Sequence, residues 1–289
     1  MVESIVRPRR SVLYLPASNA RAIEKARGLD CDCVILDLED AVAPDAKPAA
    51  RAAAVAAIAA GGWGHRELVV RINGFGTPWM HDDFAAVAAA RPDAVQVPKI
   101  DYADQANEAV RLANGLPVWA MIESPRAVLT AEHIAAVPGV TCIVAGLADL
   151  AKDLGAHPGQ QRQELSYAIQ KILLSARASG RIALDGVTAD IRDSAGHALA
   201  CQQGAAMGYD GKTLVHPDQI AAANAAFAPD DEAIAYAEGL LAAHEAAAAD
   251  GRGVTTFKGK MVEVLHVVEA KRLLAYAGAL AKRAGDYSL

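Results

Sequence analysis

Short apolar runs rich in β-branched residues alternate along the chain with longer Ala-rich segments in which apolar residues recur at helical spacing. The runs predict eight strands, at Ser11–Ala17, Cys33–Glu39, Leu68–Asn73, Ala94–Ile100, Pro117–Glu123, Thr141–Gly146, Ile182–Val187 and Thr213–His216. The Ala-rich segments predict eight helices, at 19–28, 46–60, 79–90, 102–114, 126–135, 159–179, 190–206 and 217–227. The first 227 residues are therefore expected to form eight successive βα units.

The predicted strands are apolar almost without interruption, as in Cys33-Val34-Ile35-Leu36, which is typical of a parallel sheet covered on both faces. Eight βα units in this length fit a TIM (β/α)8 barrel, typically about 250 residues. The alternative is a doubly wound open sheet, which would normally have a Gly-rich phosphate turn after the first strand. The turn here is Leu15-Pro16-Ala17-Ser18-Asn19. We therefore expect an α/β protein with a TIM (β/α)8 barrel and a C-terminal helical extension.

The strand signal ends after residue 228. Pro229–Ala248 predicts a helix, Gly251–Gly259 a loop, and Lys260–Arg283 a second helix with apolar spacing. We expect a catalytic barrel domain over 1–228 and an extension over 229–289 that acts as a lid or an oligomerisation segment. Its apolar helices either cover the barrel or reach a neighbouring subunit, so a homo-oligomer, a trimer or hexamer, is expected.

Composition narrows the classes of function. With 53% apolar residues the chain can bury a large core, and its formal charge of -6 argues against a nucleic-acid-binding surface. The four cysteines lie in apolar stretches without CxxC spacing, which indicates reduced thiols and a cytoplasmic protein. No run reaches the roughly 18 apolar residues of a membrane span, so no membrane partner is expected.

Ionisable residues collect where the predicted strands end. In a barrel, side chains at the carboxyl ends of strands form the active site. Those ends carry Asp37, Glu39, Asp40, Arg71, Lys99, Glu123, Asp149 and, on strand seven, Asp185. A barrel built only for stability would have no use for so many charges at one end, since each needs a partner or water.

Glu123 and Asp149 end adjacent strands and could share one ion. Two carboxylates without a nearby Cys or His favour a hard cation such as Mg²⁺, which takes its remaining ligands from water and substrate. The structural alternative is that Glu123 caps or pairs with the helix near Pro125, and that Asp149 caps a helix.

Arg71 could clamp a substrate carboxylate, and it could also pair with Asp37 or Glu39; both roles can hold at once. Lys99 could form a Schiff base, although an ion pair with an acidic strand end is favoured. Asp37, Glu39 and Asp40 make an acidic ring that either orients Arg71 and metal-bound waters or neutralises the basic residues. His216 closes strand eight, either as a catalytic group or as a structural cap.

Seven segments, in this order and spacing, resemble the citrate lyase β-subunit-like family within the HpcH/HpaI aldolase superfamily. They are Arg10–Ala17, Asp37–Val42, Val70–Asn73, Gln96–Lys99, Ile122–Ser124, Gly146–Gly155 and Gly211–Pro217. The resemblance implies a Mg²⁺-dependent barrel lyase that cleaves or forms 3-hydroxy dicarboxylic thioesters, of the citryl, malyl or citramalyl type, to give an acetyl thioester and an oxo-acid.

The resemblance also implies roles for residues. Glu123 and Asp149 would bind the metal, Arg71 would hold the oxo-acid, and Asp37 to Asp40 would line the same site. Arg9, Arg10 and Lys212 are candidates for binding the phosphates of coenzyme A. Related lyases use a lid Asp in a Gly-Lys-Met-Val-Asp segment, whereas this chain has Glu263 there and lacks the following Pro. We expect Glu263 to replace that catalytic acid/base group, the alternative being that the tail serves another substrate or only assembly.

Three alternatives stay open at this point. One is an aldolase for free oxo-acids such as pyruvate or oxaloacetate, and another is a thioesterase in which water attacks a malyl thioester. The last is a non-catalytic protein that binds a metabolite, against which the intact set of Arg71, Glu123 and Asp149 argues.

Overall fold

The computed structural model describes residues 7–249 and 255–286. They divide into two compact units, one over Arg9–Phe227 and the other containing the residues after Phe227. Gly251 to Val254 of the predicted loop lie outside the described residues.

The first unit is a closed barrel of eight parallel strands in sequence order, which confirms the predicted fold. The strands β1–β8 are Ser11–Pro16, Cys33–Asp37, Glu67–Arg71, Ala94–Val97, Val118–Ile122, Val140–Ala145, Ile182–Asp185 and Gly211–Leu214. The helices α1–α9 are Ala20–Ala26, Lys47–Ala60, Met80–Ala90, Ala103–Leu112, Pro125–Ala136, Leu147–Leu154, Ser166–Ala178, Ser194–Met207 and Ile220–Ala226. All eight predicted strands are present, with ends that differ by a few residues.

Two apolar layers hold this unit together. Outward-facing residues such as Leu13, Val34 and Val70 pack under the helices, and inward-facing residues fill the barrel. The inner layer is Val12, Cys33, Ile35, Val69, Ala94, Trp119, Met121, Cys142, Val144 and Leu184. Because both layers are buried, both faces of the strands need apolar side chains, and this explains the uninterrupted apolar runs.

Two helical predictions need correction in this unit. The segment after β6 contains the short helix α6, which the apolar pattern did not predict. The helix expected over 159–179 begins only at Ser166, after a 3-10 turn at Gln163–Leu165. Arg162 there has a φ of 52°, a left-handed conformation that prevents the helix from starting earlier.

The second unit contains helix α10, Asp231–Ala249, a two-stranded hairpin of β9, Thr255–Phe257, and β10, Lys260–Val262, and helix α11, Val264–Asp286. The prediction of a helix beginning at Lys260 is wrong, because Lys258 and Gly259 have φ values of 45° and 77° and form a tight two-residue turn. The core of this unit is Ala237, Leu240, Val262, Val267 and Ala270. No helix in the described part of the chain has the length and apolar character to cross a bilayer.

Candidate active site

The alternation of side chains along the strands brings the polar residues into the barrel. Cys33 and Ile35 point inward on β2, as Val69 does on β3 and Trp119 and Met121 do on β5. Counting on by twos places Asp37, Arg71 and Glu123 in the same lumen at the carboxyl end of the barrel. The same parity brings Tyr14 and Gln96 inward, where the Tyr14 hydroxyl lies 2.9 Å from Gln96 Oε1.

Arg71 is held on three sides. Its Nε and Nη2 each donate to an Asp37 carboxylate oxygen at 2.7 Å, and its Nη1 lies 3.1 Å from Glu39 Oε2. The guanidinium also lies 4.7 Å from the centre of the Tyr14 ring. Burial alone would lower the pKa of Arg71, but the bonds to Asp37 raise it above its ordinary value, so the charge is kept. Two of its five N–H donors are hydrogen-bonded to Asp37, which leaves the others for a ligand.

Asp37 organises the loop that follows β2. It is fully buried, and besides Arg71 it accepts the backbone N–H groups of Glu39 at 2.9 Å and Ala41 at 3.0 Å. Four donors therefore satisfy its two oxygens. Asp37 is thus an ion-pair partner that orients Arg71 and fixes the backbone that carries Glu39 and Asp40.

Glu123 is a buried carboxylate with one oxygen unengaged. Its Oε1 accepts the Lys99 backbone N–H at 2.7 Å, whereas Oε2 has no hydrogen-bond partner among the described residues. Burial, with the charges of Glu39 and Asp149 adding to it, raises the pKa of Glu123 to about 8. Such a group is expected to have a positive ligand in the working protein.

Gly146 leaves the space beside that oxygen open. A Cβ on Gly146 would lie 2.3 Å from Glu123 Cβ and 2.9 Å from Oε2, which is closer than side chains can approach. Gly146 also precedes α6, whose first turn carries Asp149. The unpredicted helix thus brings the second carboxylate to the site by its first turn.

A cavity of 340 Å³ lies at the mouth of the barrel, and Gly146 and Asp149 are part of its lining. Its polar lining includes Tyr14, Asp37, Asp40, Arg71 and Asp149, and Gly146 to Ala148 contribute the start of α6. The first backbone N–H groups of a helix have no partner within it and favour an anion. The cavity therefore combines a fixed guanidinium, a helix N-terminus and carboxylates.

The residues present fit a hard divalent cation. Five carboxylates, Asp37, Glu39, Asp40, Glu123 and Asp149, lie in this region, and among the described residues their ion pairs are with Arg71 and Lys99. Across the described chain no cluster of three or more His, Cys, Asp or Glu side chains encloses a metal. Two carboxylates with an open side suit Mg²⁺, which keeps several waters and binds substrate oxygens.

Lys99 takes the ion-pair role that the sequence favours. Its Nζ contacts Glu39 Oε1 and lies 3.7 Å from Asp40 Oδ1, with its side chain half exposed. Burial lowers the pKa of Lys99, but the bond to Glu39 outweighs this and raises it. A protonated amine is a poor nucleophile, so the geometry argues against a Schiff base.

The structure does not bring every predicted binding residue to the cavity. Arg10 precedes β1 and pairs with Asp32 at 2.9 Å, at the amino end of the barrel, which argues against the predicted substrate contact. Arg9 lies at the same end and bonds to Glu67 at 2.8 Å. The mouth is at the opposite ends of the strands.

Asp185 and Lys212 face away from the lumen. Leu184 points inward, so Asp185 points toward the helices, where Arg162 Nη1 bonds to it at 2.8 Å and Lys212 Nζ at 3.2 Å. Lys212 is fully buried there, which corrects its expected role in coenzyme A binding. His216 is a cap, since its Nδ1 accepts the Asp218 N–H at 3.2 Å.

Glu263 lies in the second unit, where it is exposed and immediately precedes α11. Its backbone N–H donates to His266 Nδ1 at 3.0 Å, and the His266 N–H donates to its carbonyl oxygen at 3.0 Å. The part of Glu263 in catalysis stays a prediction.

Several residues of the cavity were not singled out from the sequence: Tyr14, Met121, Gly146, Leu147, Val187 and Val215. The parity of Asp37, Arg71 and Glu123 on their strands could have identified Met121, two residues before Glu123. The same parity applies to Tyr14, two residues after Val12 on β1, whereas Gly146, Leu147, Val187 and Val215 follow the ends of their strands and carry no periodic signal.

Residues 10–217 match the family model of HpcH/HpaI aldolase/citrate lyase. A (3S)-malyl-CoA thioesterase of Cereibacter sphaeroides strain KD131 is 44% identical, over 95% of this chain and 96% of its own length. An L-malyl-CoA/beta-methylmalyl-CoA lyase of the same species is 34% identical, over 94% of this chain and 95% of its own length. The structure of CitE from Mycobacterium tuberculosis, solved with magnesium, acetoacetate and coenzyme A, matches this chain with a TM-score of 0.74 and 33% sequence identity. The match covers 93% of this chain and 97% of CitE. The chain belongs to the HpcH/HpaI aldolase/citrate lyase family.

Proposed function

We propose that this protein is a Mg²⁺-dependent carbon–carbon lyase that cleaves or forms a 3-hydroxy dicarboxylic acyl thioester of coenzyme A. The products of cleavage are an acetyl thioester and an oxo-acid. The observation that carries the proposal is the buried carboxylate of Glu123, whose unengaged oxygen lies beside Gly146, and Gly146 lines a cavity together with Asp149 and Arg71. The names of the relatives, which include malyl-CoA enzymes and a coenzyme A complex, support the substrate class.

Glu123 and Asp149 would hold the ion. When bound, Mg²⁺ would act as a Lewis acid that polarises the oxygen of the oxo-acid. Arg71 offers N–H donors that Asp37 does not use to the carboxylate of the oxo-acid, in the bidentate geometry that a guanidinium favours. The N-terminus of α6 adds backbone donors on the same wall. A fragment held at both points has little freedom to rotate, which aligns its carbon–carbon bond for cleavage.

Cleavage needs a base for the β-hydroxyl proton. As that proton leaves, the oxygen forms a carbonyl, the adjacent carbon–carbon bond breaks, and its electron pair passes to the thioester as an enolate. The enolate then takes a proton and becomes the acetyl thioester. Asp40 is the base that the barrel itself offers, because it lines the cavity and is 57% exposed, and Glu263 is the candidate from the extension. Loss of activity in Asp40→Asn but not Glu263→Gln would assign the step to the barrel.

Hydrolysis of the same thioester is a second candidate. Identity of 44% to a malyl-CoA thioesterase, against 34% to a malyl-CoA lyase, favours it. Here water would add to the thioester carbonyl and the carbon–sulfur bond would break, giving the hydroxy acid and coenzyme A. Both reactions need the acid end of the substrate held, so Arg71 serves either one.

The two reactions give different products from one substrate. Malyl-CoA is incubated with the purified full chain in Mg²⁺ or in excess EDTA, and products are identified by mass spectrometry. Metal-dependent acetyl-CoA and glyoxylate, lost in Glu123→Gln and kept in the exposed control Glu108→Gln, are expected. Free coenzyme A with malate would replace the lyase by the thioesterase. Intact malyl-CoA, citramalyl-CoA and citryl-CoA would overturn both.

We also infer that residues 1–228 form the catalytic domain of a cytoplasmic homo-oligomer, and that residues 229–289 act as its lid or association segment. Four large apolar side chains are more than half exposed at the start of the last helix and just before it: Met261, Val264, Leu265 and Val268. Contiguous exposed apolar residues are typical of interaction surfaces. The four buried cysteines agree with a reducing compartment. Light scattering of the full chain should give a trimer or hexamer, and a monomer at micromolar concentration would refute the assembly.

A further inference from the structure

A buried charged cluster lies on the outer side of the barrel wall, where the proposed chemistry does not use it. Asp185 and Lys212 are fully buried, and the Arg162 side chain is largely buried. Arg162 Nη1 lies 2.9 and 2.8 Å from the two carboxylate oxygens of Asp185, and Lys212 Nζ donates to one of them at 3.2 Å. One carboxylate thus joins strand β7, strand β8 and the segment between α6 and α7.

This cluster is an unfavourable way to join three elements if stability is its only purpose. Two basic side chains face one carboxylate, and burial lowers the pKa of Lys212 although Asp185 acts in the opposite direction. Arg162 also has a left-handed backbone, which is unfavourable for a residue with a Cβ. Apolar side chains of similar volume often hold buried elements together at least as well. The cluster therefore needs an explanation other than stability.

The cluster binds both backbone polar groups of Gly186, the residue that follows β7. The Lys212 amine donates to the Gly186 carbonyl oxygen, and the Gly186 N–H donates to Asp185 Oδ1 at 2.9 Å. The charged side chains therefore fix the backbone at the point where the chain leaves the barrel wall.

Gly186 packs directly against the start of α6. A Cβ on Gly186 would lie 2.7 Å from the Ala145 carbonyl oxygen and 2.7 Å from Leu147 Cγ, so there is no free space between these segments. Ala145 and Leu147 line the cavity at the barrel mouth, and the first turn of α6 carries Asp149. Because close-packed interiors transmit displacements, a shift of Gly186 would move the backbone that carries Asp149.

We propose that Lys212 is a positioning residue for the metal site, because it holds Gly186, and through Gly186 the start of α6, in the place where Asp149 and Glu123 can share one ion. The inference rests on the proposed function, since it takes Asp149 as a ligand of Mg²⁺. Lys212 lies outside the lining of the cavity and acts only through the backbone. Mg²⁺ tolerates little distortion of its ligand geometry, so a small shift of Asp149 weakens binding.

The first test is Lys212→Met in the full chain, which removes the amine, keeps a side chain of similar length and leaves Arg162 paired with Asp185. Titration calorimetry should give a Kd for Mg²⁺ about tenfold higher than in wild type. The Tm in EDTA should stay close to that of wild type, and saturating Mg²⁺ should restore kcat for malyl-CoA. The control Arg177→Met removes the partner of Asp210, just before β8 at the amino end of the barrel, and should leave the Kd unchanged.

The outcomes separate the inference from the proposed function. An unchanged Kd in Lys212→Met would overturn the inference while leaving the proposed function intact. A kcat that stays low at saturating Mg²⁺ would also overturn it, since the loss would then not lie in ion binding. A wild-type protein that binds no Mg²⁺ would remove the proposed function and this inference with it.

The second test changes the same contact without touching the charged cluster, and it applies even where Lys212→Met fails to fold. Gly186→Ala places a Cβ against the start of α6 and should raise the Kd for Mg²⁺ about tenfold. Gly28→Ala, whose Cβ would lie 3.8 Å from its nearest neighbour, is the matched control and should keep the wild-type Kd. Equal Kd values in these two variants would show that Gly186 does not position the metal site and would refute the proposal.

Discussion

Replacing Glu123 by Gln should make the metal-free protein more stable and end its response to Mg²⁺. Glu123 is 2% exposed, and burial raises the pKa of its carboxyl to about 8 from an ordinary 4.5. The unfolded chain therefore releases this proton at a lower pH than the folded chain does. Its contribution to stability is present below pH 4.5 and is lost as the pH rises to about 8.

The magnitude follows from that shift. A change from 4.5 to about 8 corresponds to about 4 kcal/mol of lost stability near the upper value. The Gln amide keeps the bond from the Lys99 N–H, which Glu123 Oε1 now accepts at 2.7 Å. Its NH₂ group takes the place of the unpartnered Oε2 and costs about 2 kcal/mol. The net gain is about 2 kcal/mol near pH 8, or about 4 °C in Tm.

The assay is thermal unfolding of both proteins in EDTA and in Mg²⁺, at about pH 8 and about pH 5.5. Wild type should gain about 2.7 kcal/mol from Mg²⁺ at a hundredfold excess over its Kd, and the variant should gain nothing. In EDTA the variant should be the more stable protein near pH 8 and should lose that advantage near pH 5.5. The exposed substitution Glu108→Gln controls for loss of a carboxylate and should leave the Mg²⁺ response unchanged. A variant less stable than wild type in EDTA near pH 8, or one that keeps its Mg²⁺ response, would refute the reasoning.

Three further substitutions test the supports of the site. Asp37→Asn should lower the free energy of unfolding, measured in urea, by about 3 kcal/mol. The NH₂ group of the new amide would face an N–H donor that bonds to a carboxylate oxygen in the wild-type protein. A loss below about 1 kcal/mol would contradict this. Arg71→Lys keeps the charge but loses the fork, so kcat/KM should fall about 100-fold while circular dichroism is unchanged, and near-wild-type kinetics would argue against bidentate binding. Gly146→Ala should abolish the Mg²⁺ shift in Tm, since its Cβ would crowd Glu123 at 2.3 Å, whereas Gly28→Ala, with 3.8 Å to its nearest neighbour, should keep it; a retained shift in the first variant would show that the site can adjust.

The barrel and the positions of three charged residues at its mouth could be predicted, because two independent features of the sequence locate the ends of their strands. Asp37, Arg71 and Glu123 each end an apolar run, and each lies at an even spacing from a residue inside the barrel. Apolar run and polar end together locate the mouth, whatever the path of the loops.

The direction of other side chains could not be predicted, because both faces of these strands are apolar. Asp185 ends the apolar strand β7 as Asp37 ends β2, yet it points toward the helices, where it bonds to Lys212 of β8. When both faces of a strand are buried against apolar side chains, the hydrophobic pattern shows no alternation with a period of two, so it does not indicate which residues point inward. The position of Arg10 was predicted wrongly for a different reason. Arg10 lies one residue before β1, which places it at the amino end of the barrel, away from the cavity.

Short elements were missed because they are too short for a period to develop. The helix α6 has eight residues, and β9 and β10 have three each. Their signals are single residues instead. Gly146 precedes the helix where only a glycine clears Glu123, and Lys258-Gly259 forms the hairpin turn.

A comparison of two buried carboxylates, Asp37 and Glu123, explains how stability and chemistry divide in this site. Asp37 accepts four hydrogen bonds, which hold Arg71 and the loop after β2 in place. Glu123 accepts one hydrogen bond and lies beside Gly146, so its Oε2 atom has no hydrogen-bond partner among the described residues of the metal-free protein. A carboxylate satisfied like Asp37 would make a more stable barrel but a weaker ligand, because every bond to it would have to break before a cation could bind. Under the proposed function, the instability at Glu123 would drive binding of the ion, and the rigidity at Asp37 would keep Arg71 oriented toward the substrate.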